Sequence, residues 1–336
     1  MNLATIERIH SIKTHPNTDV TSLEVAKIKG WPVVIKKGAF RDGELVIFIR
    51  IDSIVPKENP AFSFLERQKY RVWNARFKGA PSQGLVMPIS LIQVENLEYP
   101  MEGDDVTEKL DIKKYEKPLD ASMSGEAVGN FPTNLLSVTD EENIQNFPDI
   151  LHEFHGLDSY LTIKADGSSM TILFFEGKVR VCSRRLEQRE GSGFWQIADY
   201  YDLPNKLRTL NKPLAIQAEA CGGSIQGNPM GLGYRQMFVF NIRELDTGKY
   251  YGWREIERTC TALQIPSVRL FQTPFKFNSD VHSIDHLQEM ANNVEYMSDT
   301  GKLLPGEGIV LRPLEPRYSE ILGHQLSVKI LNQKYE

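Results

Sequence analysis

The stretch Leu161-Thr-Ile-Lys164-Ala-Asp166-Gly167-Ser168 puts a lysine at the end of an apolar run, with an acid and a glycine close behind it. That order can make a nucleophile. An ordinary lysine is protonated at neutral pH and inert, but desolvation or neighbouring cations depress its pKa and free the lone pair. Gly167 lets the backbone turn sharply and lets a phosphate come close. Asp166 can hold a divalent cation through an oxygen or a water. Taken alone, the same residues also describe a strand-end lysine before an Asp-Gly turn.

Five segments downstream give the stretch its weight. In order they are Val181-Cys-Ser-Arg184-Arg185, Ile216-Gln-Ala-Glu219-Ala-Cys-Gly222, Gln236-Met-Phe238-Val-Phe240-Asn-Ile242, Glu307-Gly308-Ile-Val-Leu-Arg312 and Ser327-Val-Lys329-Ile-Leu. This series resembles the covalent nucleotidyltransferases: ATP-dependent DNA and RNA ligases and mRNA capping enzymes. The segments are similar to their motifs I, Ia, III, IV and V, with the Glu219 segment as in RNA ligases.

The chain has 336 residues, 41% hydrophobic and 25% charged, which suits two ordinary globular domains. A net charge of -5 excludes a general polycation, so any nucleic-acid surface must be a local patch. The opening Met-Asn-Leu-Ala-Thr-Ile-Glu has no basic segment leading into an apolar one, and no apolar run is long enough for a bilayer. The expectation is an intracellular, cytoplasmic protein without membrane partners. Cys182, Cys221 and Cys260 are odd in number and far apart, which argues against a disulfide scaffold or zinc ribbon. His282 with His286, and His152 with His155, have helical spacing but no evident third metal ligand.

The first region reads as strands at 23–28, 31–35 and 44–51, with turns at Lys37-Gly38 and Asp42-Gly43. Ile9-His-Ser-Ile12, His15-Pro-Asn-Thr-Asp19 and Gly43-Glu-Leu-Val-Ile-Phe through Pro56 are similar to tRNA-binding OB-type modules. That likeness implies a five-stranded barrel that commonly binds nucleic acid. In Arg67-Gln-Lys69-Tyr70-Arg71-Val-Trp73-Asn-Ala-Arg76-Phe77-Lys78-Gly79, bases and aromatics interleave. Lys69, Arg71, Trp73, Arg76 and Lys78 are the candidate nucleic-acid contacts, cations on phosphates and rings on bases. The competing reading is a barrel strand with Trp73 and Phe77 in the core.

Residues 113–132 lack an apolar period and are expected to be a linker between an OB-type domain, 1–112, and a catalytic domain, 133–336. Asn134-Leu-Leu reads as the start of a new element, and Thr139 with Glu142 as a capping box. Strands are expected at 170–175, 178–182, 213–217 and 237–242, and helices at 193–210, 253–263 and 284–297. Strands and helices alternate irregularly, so the fold class is α+β: an OB-type β-barrel followed by a nucleotidyltransferase domain built on antiparallel sheets.

The resemblance implies roles. Lys164 attacks the α-phosphorus of ATP and forms a lysyl phosphoramidate, with the base lying against the Ile163 backbone. Asp166, Glu219 and Glu307 surround Mg2+ or Mn2+, and Glu219 alternatively accepts from ribose. Arg184, or Arg185 in its place, contacts ribose or phosphate. Phe240 stacks on the purine, with Phe238 as the rival, and Gln145 and Asn146 read the base. Lys329 stabilises charge on the α-phosphate. Motif V is often Lys-x-Lys, whereas here it is Ser327-Val-Lys329, so one lysine suffices or Lys334 or Arg312 compensates. Thr162 replaces an acid common in DNA ligases. An OB-type module ahead of motif I resembles the nick-sealing RNA ligases of the family 5 type. That likeness implies three steps: adenylylation of Lys164, AMP transfer to an RNA 5′-phosphate, and attack by a 3′-hydroxyl at a nick in duplex RNA, by a monomer. The alternatives are a DNA ligase, a GTP-using capping enzyme, or a non-catalytic OB-type RNA-binding protein.

Overall fold

The computed structural model describes residues 2–51, 53–92, 100–115, 127–138, 141–278 and 280–335. The chain divides into Met1–Pro118 and Leu119–Glu336. In the first unit, strands Trp31–Lys36, Leu23–Ile28, Ala4–Thr14, Leu45–Ile49 and Leu85–Pro88 form one antiparallel sheet in that spatial order. Trp31, Val33 and Ile35 alternate inward along their strand. Leu45–Ile49 is apolar throughout because it is covered on both faces: Ile47 and Ile49 join one core, Val46 and Phe48 another. The expected turns fall at Gly38 and Gly43, both with positive φ.

Residues 60–68, which include the first two residues of the basic-aromatic run, form a 3-10 helix. The run itself contributes the short strand Arg71–Val72 and a hairpin, Asn74–Phe77 with Ala80–Gln83. Lys78 (φ 51°) and Gly79 (φ 94°) make its tip, the left-handed turn that suits strand twist.

The second unit holds two larger sheets. One runs Ala127–Asn130, Leu186–Gln188, Lys178–Ser183, Ser168–Phe175, Leu214–Cys221, Gln236–Glu244, all antiparallel. The other runs Glu142–Asn143, Val328–Leu331, Gly308–Pro313, Asp158–Ile163, Leu270–Lys276. Leu161, Ile163, Ile309 and Ile330 from the second sheet share a core with Met170, Ile172, Ile216 and Val239 from the first. The architecture is α+β.

Several local expectations change. The helix expected at 193–210 is two, Gly193–Tyr200 and Leu203–Leu210, broken where Asp202 turns to φ 51°. The helix expected at 284–297 stops at Asn292, and Glu295–Met297 is a strand paired with Leu303–Pro305. Asn292-Asn293 ends it, since asparagine side chains compete with the helical backbone. Residues 133–135 form a turn rather than a new element. Thr139 lies outside the described residues. Its supposed capping partner, Glu142, is not helical: it pairs in parallel with Val328. Within 113–132, Lys113–Lys114 pairs with Ser53–Ile54 and Ala127–Asn130 pairs with Leu186–Gln188, while 116–126 lie outside the described residues. All three cysteines are free and buried. Among the described residues, no helix is long and apolar enough to cross a membrane.

Candidate active site

Lys164 stands where strand Asp158–Ile163 ends, and its backbone N–H still donates to the Gly308 carbonyl at 2.9 Å. That pairing sets Lys164 beside Glu307. The ammonium Nζ donates to Glu307 Oε2 at 2.5 Å, with the two side chains 24% and 22% exposed. The pair is therefore screened from bulk water yet open to a ligand. Gly308 is required for the approach: a Cβ there would lie 2.2 Å from the Ile330 carbonyl oxygen. Ile163 is nearly buried, and its N–H donates to the Arg269 carbonyl.

After Lys164 the chain crosses to the other sheet through Asp166 and Gly167. The reason for Gly167 differs from the sequence expectation. It does not need a positive φ; its missing Cβ would sit 2.1 Å from the Ala220 oxygen and 2.7 Å from Cys221 Sγ. Strand Leu214–Cys221 can therefore run close, with Glu219 opposite Ser169.

Burial and the neighbouring acids act on Lys164 in opposite directions. Burial alone would lower the Lys164 pKa, but the carboxylates of Glu307, Glu219 and Asp166 outweigh it and hold the amine above its ordinary value. Burial is also the main reason the Glu219 carboxyl is pushed up to about 8, with repulsion from Glu307 and Asp166 adding to it and Lys164 and Arg184 opposing it. Among the described residues, no three His, Cys, Asp or Glu side chains are grouped to hold a metal. His282 and His286 touch, with ring centroids 5.2 Å apart, and among the described residues no third ligand joins them. The three acids converge on the lysine instead. They are hard oxygen donors, crowded and short of positive charge, which fits magnesium or manganese bound partly through water.

Arg184 is half-buried and its charge reaches Glu219, whereas Arg185 is exposed. Phe238 and Phe240 are separated by a β-bulge: Ala218 pairs with Val239 but Gln217 with Asn241, leaving Phe240 as the extra residue. Phe238 is a core residue at 7% exposure, and Phe240 is half-buried under the Arg312 guanidinium at 5.6 Å. Arg312 is itself buried, donating to Ser327 Oγ at 2.8 Å, to the Phe240 carbonyl at 2.7 Å and to Glu141. Ser327 thus completes a buried ion-pair network where a lysine often stands. Arg312 is committed to that network, and Lys334 Nζ donates to Asn293 at 3.2 Å on the surface. Lys329 is half-buried, between Asn143 and Val310. Gln145 is 2% exposed and donates to Gln288 Oε1 at 3.0 Å, and Asn146 is its half-buried neighbour. Sequence reasoning missed Tyr335, whose hydroxyl donates to Asp166 Oδ2 at 2.9 Å.

In the first unit, Trp73 is 50% and Phe77 46% exposed, against the core reading of these rings. Lys69, Arg76 and Lys78 are exposed beside them in sequence. Arg71 differs: it is half-buried, with its guanidinium 3.5 Å over the Tyr115 ring centroid.

A family model described as RNA ligase matches residues 158–330, and one described as an OB-fold domain matches residues 3–89. The chain belongs to the RNA ligase family. Naegleria gruberi RNA ligase, as a lysine-to-methionine mutant with AMP and Mn, is 30% identical, with a TM-score of 0.85 over 100% of this chain and 98% of that one. The same ligase with PPi gives a TM-score of 0.83 at 30% identity, over 100% and 98%. A lysine-to-alanine mutant with ATP and Mn gives 0.83 at 30%, over 99% and 98%. No curated protein matches the chain. In this RNA ligase, the family match spans every segment from the Lys164 strand to Lys329.

Proposed function

We propose that this RNA ligase is ATP-dependent and seals 3′-hydroxyl and 5′-phosphate ends through a Lys164–AMP intermediate. The observation that carries the reading is the Lys164 ammonium gripped by Glu307, with Glu219 and Asp166 near enough to shift its pKa. The related ligase with ATP and Mn supports ATP and a divalent metal as the reactants and helper here.

Asp166, Glu219 and Glu307 would hold a divalent cation, partly through water, and it would supply charge neutralisation for the triphosphate. The chain's own residues do the rest. Lys164 must pass its proton to Glu307 or to solvent and leave Glu307 before it can attack, and any positive charge that satisfies the acids weakens their hold on the ammonium. Nζ then bonds to the α-phosphorus and the bond to pyrophosphate breaks. Phe240 offers its face to the adenine. Arg184 reaches ribose or phosphate from the Glu219 side, and Lys329 balances charge developing on the α-phosphate. Gln145 and Asn146 read the base edge. AMP passes to an RNA 5′-phosphate, and a 3′-hydroxyl displaces it. Exposed Lys69, Trp73, Arg76 and Lys78 of the OB-fold unit, with Arg71 behind them, bind the RNA, taken to be a nicked duplex acted on by a monomer.

The test is intact mass after ATP and Mg2+. A gain of one AMP, reversed by pyrophosphate and lost in Lys164→Ala, is expected; labelled GTP should leave no mark. An unchanged mass, or labelling that survives Lys164→Ala, overturns the mechanism.

A further inference from the structure

Asp166 is held from a side that none of the reaction motifs supplies. The Tyr335 hydroxyl donates to its Oδ2 at 2.9 Å. Tyr335 arrives there on a short strap that continues strand Val328–Leu331 past Lys329. Every backbone N–H of that strap is engaged. Asn332 donates to the Glu307 carbonyl at 2.9 Å, Gln333 to Asn292 Oδ1 at 2.7 Å, Lys334 to Asn332 Oδ1 at 2.8 Å and Tyr335 to the Asn332 carbonyl at 3.2 Å. The Asn332 side chain, 2% exposed, also donates to the Gly306 carbonyl at 2.9 Å. Asn332 is thus bonded to the backbone that carries Glu307, and three residues later the same strap is bonded to Asp166. Such complete pairing fixes the backbone of the strap from which the Tyr335 ring reaches Asp166.

A carboxylate that ligates a cation depends on the partner that fixes its plane, and losing that partner typically weakens metal binding by about 10- to 100-fold. We propose that Tyr335 is a positioning residue for cation binding: its hydroxyl presents the Asp166 carboxylate in one orientation to the divalent cation that accompanies ATP. The inference rests on the ATP- and metal-dependent reading of the site. It adds a residue outside the motif segments and gives the strap 332–335 a task.

The experiment uses the full chain, Mn2+ and α,β-methylene-ATP, which cannot release pyrophosphate. Bound Mn2+ is counted by electron paramagnetic resonance, and analogue binding without Mn2+ by calorimetry. Tyr335→Phe keeps the ring and removes only the hydroxyl. The expected result is Mn2+ affinity weakened about tenfold or more, with metal-free analogue binding unchanged. Unaltered Mn2+ affinity in Tyr335→Phe overturns the inference alone. So does an equal loss of analogue binding without Mn2+, which would make Tyr335 a packing residue. Failure of the unsubstituted chain to bind Mn2+ with the analogue overturns the metal-dependent reading as well.

Discussion

The Glu219 carboxyl is held up to about 8 because its surroundings are dry and already acidic. An unfolded glutamate loses its proton above about 4.3, whereas the folded chain keeps it until about 8. Between those values the folded state binds more protons than the unfolded one, so stability falls as pH rises through the window and levels off above it. Thermal midpoints measured without nucleotide should show this decline, and Glu219→Gln should flatten it. The two phenylalanines make a second test at this scale. Phe240→Leu should raise the KM for ATP by about 2- to 10-fold, the worth of an aromatic contact, while melting stays near that of the unsubstituted chain. Phe238→Ala should instead cost about 3–5 kcal/mol of stability, as deletion of a core ring does.

Elements decide how these residues meet. Gly167→Ala would drive a methyl group into the backbone of strand Leu214–Cys221. Because Asp166 and Glu219 flank that contact, self-adenylylation should fall by more than about tenfold, an estimate from the sensitivity of catalysis to misplacement of about 1 Å; a labelling time course checks it. Much of this layout was legible in the sequence. The strand readings at 23–28, 31–35, 44–51, 170–175, 178–182, 213–217 and 237–242 each fall on a strand, whereas Ala4–Thr14 and Leu270–Lys276 were not read as strands. The ordered motifs named Lys164, Glu219 and Glu307, which the fold brings together. What escaped had physical causes. Strict alternation puts Phe238 and Phe240 on one face, and only the bulge, which no local residue pattern announced, separates them. Tyr335 meets Asp166 across 169 positions of sequence, so no spacing pointed to it. Ser327 looked like a missing lysine, yet the buried Arg312 accounts for it through a contact fifteen positions away. The sequence named the three acids and the burial of the lysine, but not which of the two would win: the acids outweigh desolvation and hold the amine above its ordinary value.

For the molecule as a whole, a net charge of -5 means that RNA must be met by a restricted basic surface. The exposed rings of Trp73 and Phe77, with Arg76 and Lys78 between and beyond them in sequence, are the candidates. RNA affinity should drop as salt rises, and Arg76→Ala or Lys78→Ala should each reduce the slope of log K against log salt by about 1. Trp73→Ala should weaken RNA binding by about 1–3 kcal/mol with little change in slope. Self-adenylylation should be spared by all three, since each unit folds around its own core. Filter binding over a salt series, run beside the labelling assay, separates these effects.

The grip of Glu307 on Lys164 also bears on when this protein is vulnerable. A charged ammonium has no electron pair to donate, so cyanate, aldehydes and other stray electrophiles should modify Lys164 more slowly than an ordinary exposed lysine while Glu307 holds it. If Lys164 is the nucleophile proposed above, its reactivity appears only once the right cargo has displaced the acid. On the proposed mechanism the molecule is disarmed at rest, and its own substrate is the key that arms it.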